Sequence, residues 1–240
     1  MSGLPGEDNF LCGEERTKDR SEEDRRAGLL LHYHPHTCCW SAVVYNVPHE
    51  AKGMVLFAHG SGSGRYSPRN QYIAKVINNA GYATLLMDLL TEKEDETDRY
   101  TGEYRFDIEL LANRMLEATD WVRGQPSDFE ILPVGYFGAS TGAGAALIAA
   151  SQRDDIKAVV SRGGRPDLAD KALPSVTAPT VLIVGGNDHE VIKLNQSALA
   201  RLTCTKQLEI IPGATHLFEE PGALEEVAKI ATDWFGSYLK

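Results

Sequence analysis

The sequence predicts an α/β protein with a mostly parallel central sheet, helices on both faces and no separate cap domain. Three observations lead there. From residue 54 onward, short apolar runs rich in Val, Ile and Leu alternate with longer segments of helical period, as in parallel strands buried on both faces. The connections between them are mostly short, and no insertion is long enough for a second domain. Internal repeats and low-complexity stretches are absent from the sequence, so neither a solenoid nor a linker between domains is indicated.

The pattern places strands at Met54–Ala58, Ala83–Met87, Leu132–Phe137, Lys157–Ser161, Thr180–Val184 and Gln207–Ile211. Helices are expected at Pro68–Ala80, Asp107–Arg123, Thr141–Arg153, Leu194–Leu202 and Ala223–Leu239. Pro68 suits a first helical turn, where its missing N–H costs nothing, and Pro126 follows a helix that has ended. Upstream, Ala42–Val47 is expected as an antiparallel strand at the sheet edge, and Leu29 to Trp40 receives no assignment. Residues 1–28 read as a charged tail, because "EERTKDRSEEDRR" at 14–26 mixes both signs without an apolar face. Residues 29–240 form the single domain. Two connections are longer than the rest: 91–106, which is acidic and aromatic, and 162–179, which carries Arg162, Arg165 and three prolines.

A chain of 240 residues with 42% hydrophobic content can bury one sizeable core. Its 34 acidic and 24 basic side chains give a formal charge of -10, which argues against nucleic acid as a partner. No apolar run approaches the ~18 residues that span a bilayer, and no secretory signal is apparent. A cytoplasmic protein without membrane contact, monomer or homodimer, is the expectation. Cys12, Cys38, Cys39 and Cys204 are too irregularly spaced for a disulfide framework or paired zinc ligands, so reduced thiols are expected.

The stretch "GASTGAG" at 138–144 has two readings. As G-x-S-x-G it is a sharp turn presenting a nucleophilic serine. As a glycine loop between strand and helix it would cradle a pyrophosphate and imply a nucleotide-dependent oxidoreductase. "AHGSGSG" at 58–64, followed by Asp88, offers a second copy of that pattern. Both copies lack context: only about 100 residues follow Gly138, too few for two mononucleotide-binding halves, and the chain holds no Tyr-x-x-x-Lys pair.

The nucleophile reading demands a carboxylate and then a histidine, each after a later strand. Asp188 in "GGNDHEV" and His216 in "GATHLF" stand there, in that order after Ser140. The helix dipole behind the turn favours negative charge near Ser140. Oxyanion donors are expected from the backbone N–H groups of Thr141 and Ser61, with His59 buttressing the turn. Asp167 is the rival acid. His189 is adjacent to Asp188 and unsuited as its partner, and His49 reads as a surface residue.

These residues resemble the α/β-hydrolase superfamily, in particular its dienelactone hydrolase-like group. The likeness runs from about Gly53 to the end, through "HGSGSGRYSPRNQYIA", "GASTGAG", "SRGGRPDLA", "GGNDHEV" and "GATHLF". It implies an eight-stranded sheet, a Ser140, Asp188, His216 triad, hydrolysis of carboxylic esters or lactones, and no metal or organic cofactor. Dienelactone hydrolase itself uses cysteine as nucleophile, so the serine at 140 points to simple esters. A carboxylesterase acting on a small-molecule ester is the leading expectation. A ligand-binding protein on the same fold is the alternative.

Without a cap domain, loops alone can cover the serine, which favours short acyl groups. Tyr66, Leu89, Leu90, Tyr100, Tyr104 and Phe106 are candidates for an apolar pocket wall. Arg65 and Arg162 are candidates for gripping a substrate carboxylate, the alternative being ion pairs with the acidic loop at 92–98. "HYHPH" at 32–36 invites a metal reading, but His32 and His36 would stand about 13 Å apart on a strand, so no metal site is expected.

Overall fold

The computed structural model describes residues 27–33, 40–48, 50–124 and 132–240, with only the backbone of 27–33 and 40–45. Strands β1 (Ala27–Tyr33), β2 (Trp40–Asn46), β3 (Met54–Ala58), β4 (Ala83–Met87), β5 (Val134–Ala139), β6 (Ile156–Arg162), β7 (Thr180–Gly185) and β8 (Lys206–Ile211) form one sheet. Their order is β1-β2-β4-β3-β5-β6-β7-β8. The six strands from β4 to β8 run parallel, and β2 pairs antiparallel with both β4 and β1. The expected strand at 42–47 is therefore real but inside the edge. The outermost strand is β1, which begins at Ala27, within the segment read as tail.

Strands β3, β4, β5 and β7 are buried at every position because helices cover both faces. One face packs on α3 (Ile108–Arg123) and α4 (Thr141–Ser151), the other on α1 (Pro68–Asn79) and α6 (Ala223–Tyr238). The first layer centres on Leu56, Leu85, Met115, Tyr136 and Leu147, the second on Phe57, Ile73, Phe137, Ile183 and Phe235. Helix α5 (His189–Arg201) fills the remaining βα unit.

The two long connections are not plain loops. Residues Glu92–Thr101 form helix α2, with Thr91 and Glu94 closing a reciprocal capping box: Glu94 N–H donates to Thr91 Oγ1 at 3.2 Å, and Thr91 N–H donates to Glu94 Oε2 at 2.7 Å. Pro166–Ser175 forms a 3₁₀ segment with a kink at Asp170. Among the described residues no helix is long and apolar enough to cross a membrane. Cys204 carries a free thiol. Cys12, Cys38, Cys39, His34, His36, His49 and Pro126 lie outside the described residues.

Candidate active site

Ser140 sits between β5 and α4 at φ 51° and ψ -122°, a combination that L-residues avoid and that persists only when the surroundings impose it. The surroundings are visible. A Cβ on Gly142 would lie 2.7 Å from the carbonyl carbon of Ala58, and one on Gly138 would lie 2.8 Å from the Ala143 nitrogen. Any side chain at either position would push helix and strand apart. The Ser140 carbonyl accepts from Ala143 and Arg165 N–H at 3.1 and 3.0 Å, and its N–H donates to the Arg162 carbonyl at 3.2 Å. The turn is thus fastened on three sides.

Asp188 and His216 come from the loops after β7 and β8, which are pressed together. A Cβ on Gly185 would stand 2.5 Å from the carbonyl oxygens of both Ala214 and Thr215. Asn187 joins the loops further, donating from its backbone to Ala214 O at 2.9 Å and from its amide to Gly213 O at 2.8 Å. The outcome is a His216 Nδ1 to Asp188 Oδ2 contact of 2.6 Å. The imidazole in turn lies over the Gly163 backbone, next to the strand end that fastens Ser140: a Cβ on Gly163 would be 3.5 Å from His216 Cε1. The Ser140 hydroxyl makes no hydrogen bond among the described residues, so the link from serine to imidazole is open in this structure. Asp167, the rival acid, is occupied by Arg165 through contacts of 2.7 and 2.8 Å.

The turn after β3 approaches the serine from the other side, and a Cβ on Gly60 would lie 3.0 Å from Ser140 Cβ. Thr141 opens α4, so its N–H belongs to the donors that a helix start leaves without an intrahelical partner. The Ser61 N–H donates to Thr141 Oγ1 at 2.9 Å. That contact ties the two expected donors together and must loosen before Ser61 can serve an oxyanion.

The end of β4 holds this turn in two places. His59 is buried: its Nε2 accepts from Leu89 N–H at 3.0 Å, which puts the proton on Nδ1, facing Gly60 O at 2.9 Å. Burial lowers the imidazole below its ordinary value, against a smaller opposing effect of the Gly60 contact. Asp88 accepts from Arg65 N–H at 2.7 Å and pairs with the Arg65 guanidinium.

Several expectations need correcting. Arg65 pairs with Asp88 rather than with the acidic segment, because Asp88 projects directly under the turn. Its guanidinium stacks 4.3 Å from the Tyr66 ring, leaving Tyr66 57% exposed at the surface. Leu89 is fully buried in the core, while Tyr100 and Phe106 are 93% and 61% exposed. Of the supposed apolar wall, only Leu90 borders the cavity beside the turn. Arg162 is buried against α1, near Asn70 Oδ1 at 3.5 Å and 5.9 Å from the Phe218 ring, and has no carboxylate partner among the described residues. Burial, with Arg69 close by, pulls its guanidinium down to about 10.

Sequence reasoning missed Asp88, Asn187 and α2. Asp88 entered only as a mimic of a ribose ligand, although its place at a strand end was a usable signal. The T-x-x-E of the capping box was present at 91–94 as well.

Known proteins share this fold. A structure of dienelactone hydrolase from Anabaena variabilis is 55% identical, with a TM-score of 0.86 over 90% of this chain and 100% of that one. Est1E from Butyrivibrio proteoclasticus shares the fold at 16% identity, with a TM-score of 0.71 over 88% of this chain and 98% of its own. Two curated proteins from Mycobacterium tuberculosis strains, provisionally named phosphoribosyl transferases, are 59% identical over 194 residues, which is 80% of this chain. The chain spans only 43% of those relatives. The family model for the dienelactone hydrolase family matches residues 41–239. With the strained Ser140 turn, the eight-stranded order and this match in hand, the chain belongs to the dienelactone hydrolase family.

Proposed function

We propose that this chain is a serine hydrolase of carboxylic esters. The observation that carries the reading is the strained Ser140, with the Gly60 turn against it and the Asp188-bound imidazole of His216 over Gly163, the residue after the Arg162 that fastens the serine. His216 removes the hydroxyl proton as Ser140 attacks the acyl carbonyl, and the N–H groups of Thr141 and Ser61 receive the oxyanion. The same proton then goes to the leaving alkoxide, so the acyl-enzyme forms as the alcohol departs. Water, activated by His216, repeats the sequence and frees the acid. Asp188 holds the imidazole in the tautomer that keeps Nε2 unprotonated and supports the imidazolium that forms.

The oxidoreductase alternative finds no support in the glycines, since those at 138, 142 and 144 are spent on close packing against protein atoms. The transferase name of the mycobacterial relatives belongs to chains of which this one spans 43%, and it is not carried over to this chain.

Fluorophosphonate labelling mapped to a residue tests the assignment, with label expected on Ser140. Ser140→Ala should lower turnover by roughly 10⁶-fold if the three groups act as a unit. Asp188→Asn should cost orders of magnitude, whereas Asp167→Asn should leave the rate within a few-fold. A Ser140→Ala protein with undiminished esterase activity would refute the mechanism. Absence of turnover with a ligand-dependent rise in melting temperature would favour the binding-protein alternative.

A further inference from the structure

Of the buried arginines, Arg114 holds Glu94 and Glu117, whereas Arg162, 7% exposed at the end of β6, holds no carboxylate among the described residues. Its Nη2 makes one long contact with Asn70 Oδ1 at 3.5 Å, and its Nε is enclosed without a partner. Nη1 has no hydrogen bond among the described residues either, but it is not enclosed. Burial, with Arg69 close by, lowers this guanidinium to about 10, so it stays charged at neutral pH. A buried charge without a counterion is costly, and a like charge beside it adds to the cost.

Arg69, in the first turn of α1, brings that like charge. Its Nε is also enclosed without a partner, and its one carboxylate among the described residues is Glu219, at 3.3 Å and with a side chain 64% exposed. Glu220, the next acid, is hydrogen-bonded to Thr215. The first turn of α1 carries no acidic residue, so none offsets the positive end of its dipole. The place adjoins the proposed base: the Phe218 ring, two residues after His216, lies 5.9 Å from the Arg162 guanidinium. The Arg162 carbonyl meanwhile fastens the Ser140 N–H at 3.2 Å.

We propose that Arg162 and Arg69 bind an oxyanion at the first turn of α1, beside the loop that carries His216. Guanidinium groups meet phosphate and carboxylate through forked hydrogen bonds, so the anion is a free phosphate or an acidic group on the substrate itself. Only the second source rests on the ester-hydrolase reading.

Calorimetry of inorganic phosphate with the full chain, at an ionic strength held constant with chloride, tests the site. Saturable binding is expected, with Kd raised at least about tenfold by Arg162→Met and by Arg69→Gln, each of which removes charge-assisted hydrogen bonds. In chloride alone Arg162→Met should melt no lower than the parent, because it deletes an uncompensated buried charge, and it should lose the phosphate-dependent rise in melting temperature. Arg69→Gln, at a part-exposed position, gives the same reading if Arg162→Met does not fold. Two pairs of esters separate the sources: p-nitrophenyl butanoate against the succinate monoester, and phenyl butanoate against 4-carboxyphenyl butanoate. A preference for an acidic member that phosphate competes away and Arg69→Gln abolishes identifies the substrate's own group, whereas phosphate binding without such a preference identifies a free anion. Absence of both would overturn the proposal, as would phosphate binding that neither substitution weakens. If no ester is turned over, the hydrolase reading fails separately and calorimetry still decides the site.

Discussion

Gly142 fixes the position of Ser140 by having only a hydrogen where other residues carry carbon. Because a Cβ there would run into the backbone of Ala58 and His59, Gly142→Ala must part β3 from α4. A loss of about 2 kcal/mol or more in denaturant unfolding is expected, in the range of overpacked cores. Such a need for glycine was legible in the sequence, since the turn pattern itself demands it. His59 illustrates a finer point. Its folded-state value lies below the ordinary one near 6.5, so on acidification the unfolded chain takes the proton first. Stability from this residue is thus complete above about pH 6.5 and falls as pH drops toward the folded value. Denaturant titrations between pH 7.5 and 5 should show a shallower decline for His59→Asn than for the parent; an equal slope would mean that His59 is not held neutral. The sequence suggested that His59 buttresses the turn, but could not name Leu89 N–H as its partner, because that contact joins positions 30 apart.

At the scale of elements, α2 differs from every other helix here in burying a single side chain, the charged Asp98. An amphipathic stripe was therefore missing, and periodicity read the segment as a loop. What holds it is polar: the capping box at Thr91, and Arg114 on α3 reaching Glu94 at 3.0 Å. Both depend on Glu94, so Glu94→Ala should weaken α2 by about 1 kcal/mol. Hydrogen exchange should quicken across 92–101 while the sheet amides keep their protection; unchanged exchange in α2 would show that the helix is anchored otherwise. The pockets of the wall residues were misread for a related reason. Placing a tyrosine or leucine on a strand-end loop says nothing about which way it turns, and Leu89 turned inward while Tyr66 and Tyr100 turned out.

For the whole molecule, the parallel strands bring every loop that follows a strand to one edge of the sheet. That is why the loops carrying Ser140, Asp188 and His216, far apart in sequence, emerge at the same end of the sheet. Strand positions were legible because burial on both faces leaves continuous apolar runs. Of the antiparallel edge the strand at 42–47 was legible, whereas β1 received no assignment because it starts inside the charged segment read as tail.

The torsion imposed at position 140 sets longevity of the fold against usefulness. Glycine would relax it, so Ser140→Gly should melt higher than Ser140→Ala by the equivalent of about 1 kcal/mol. Neither variant keeps a hydroxyl. A descendant released from the proposed reaction would gain robustness by drifting to glycine at this position.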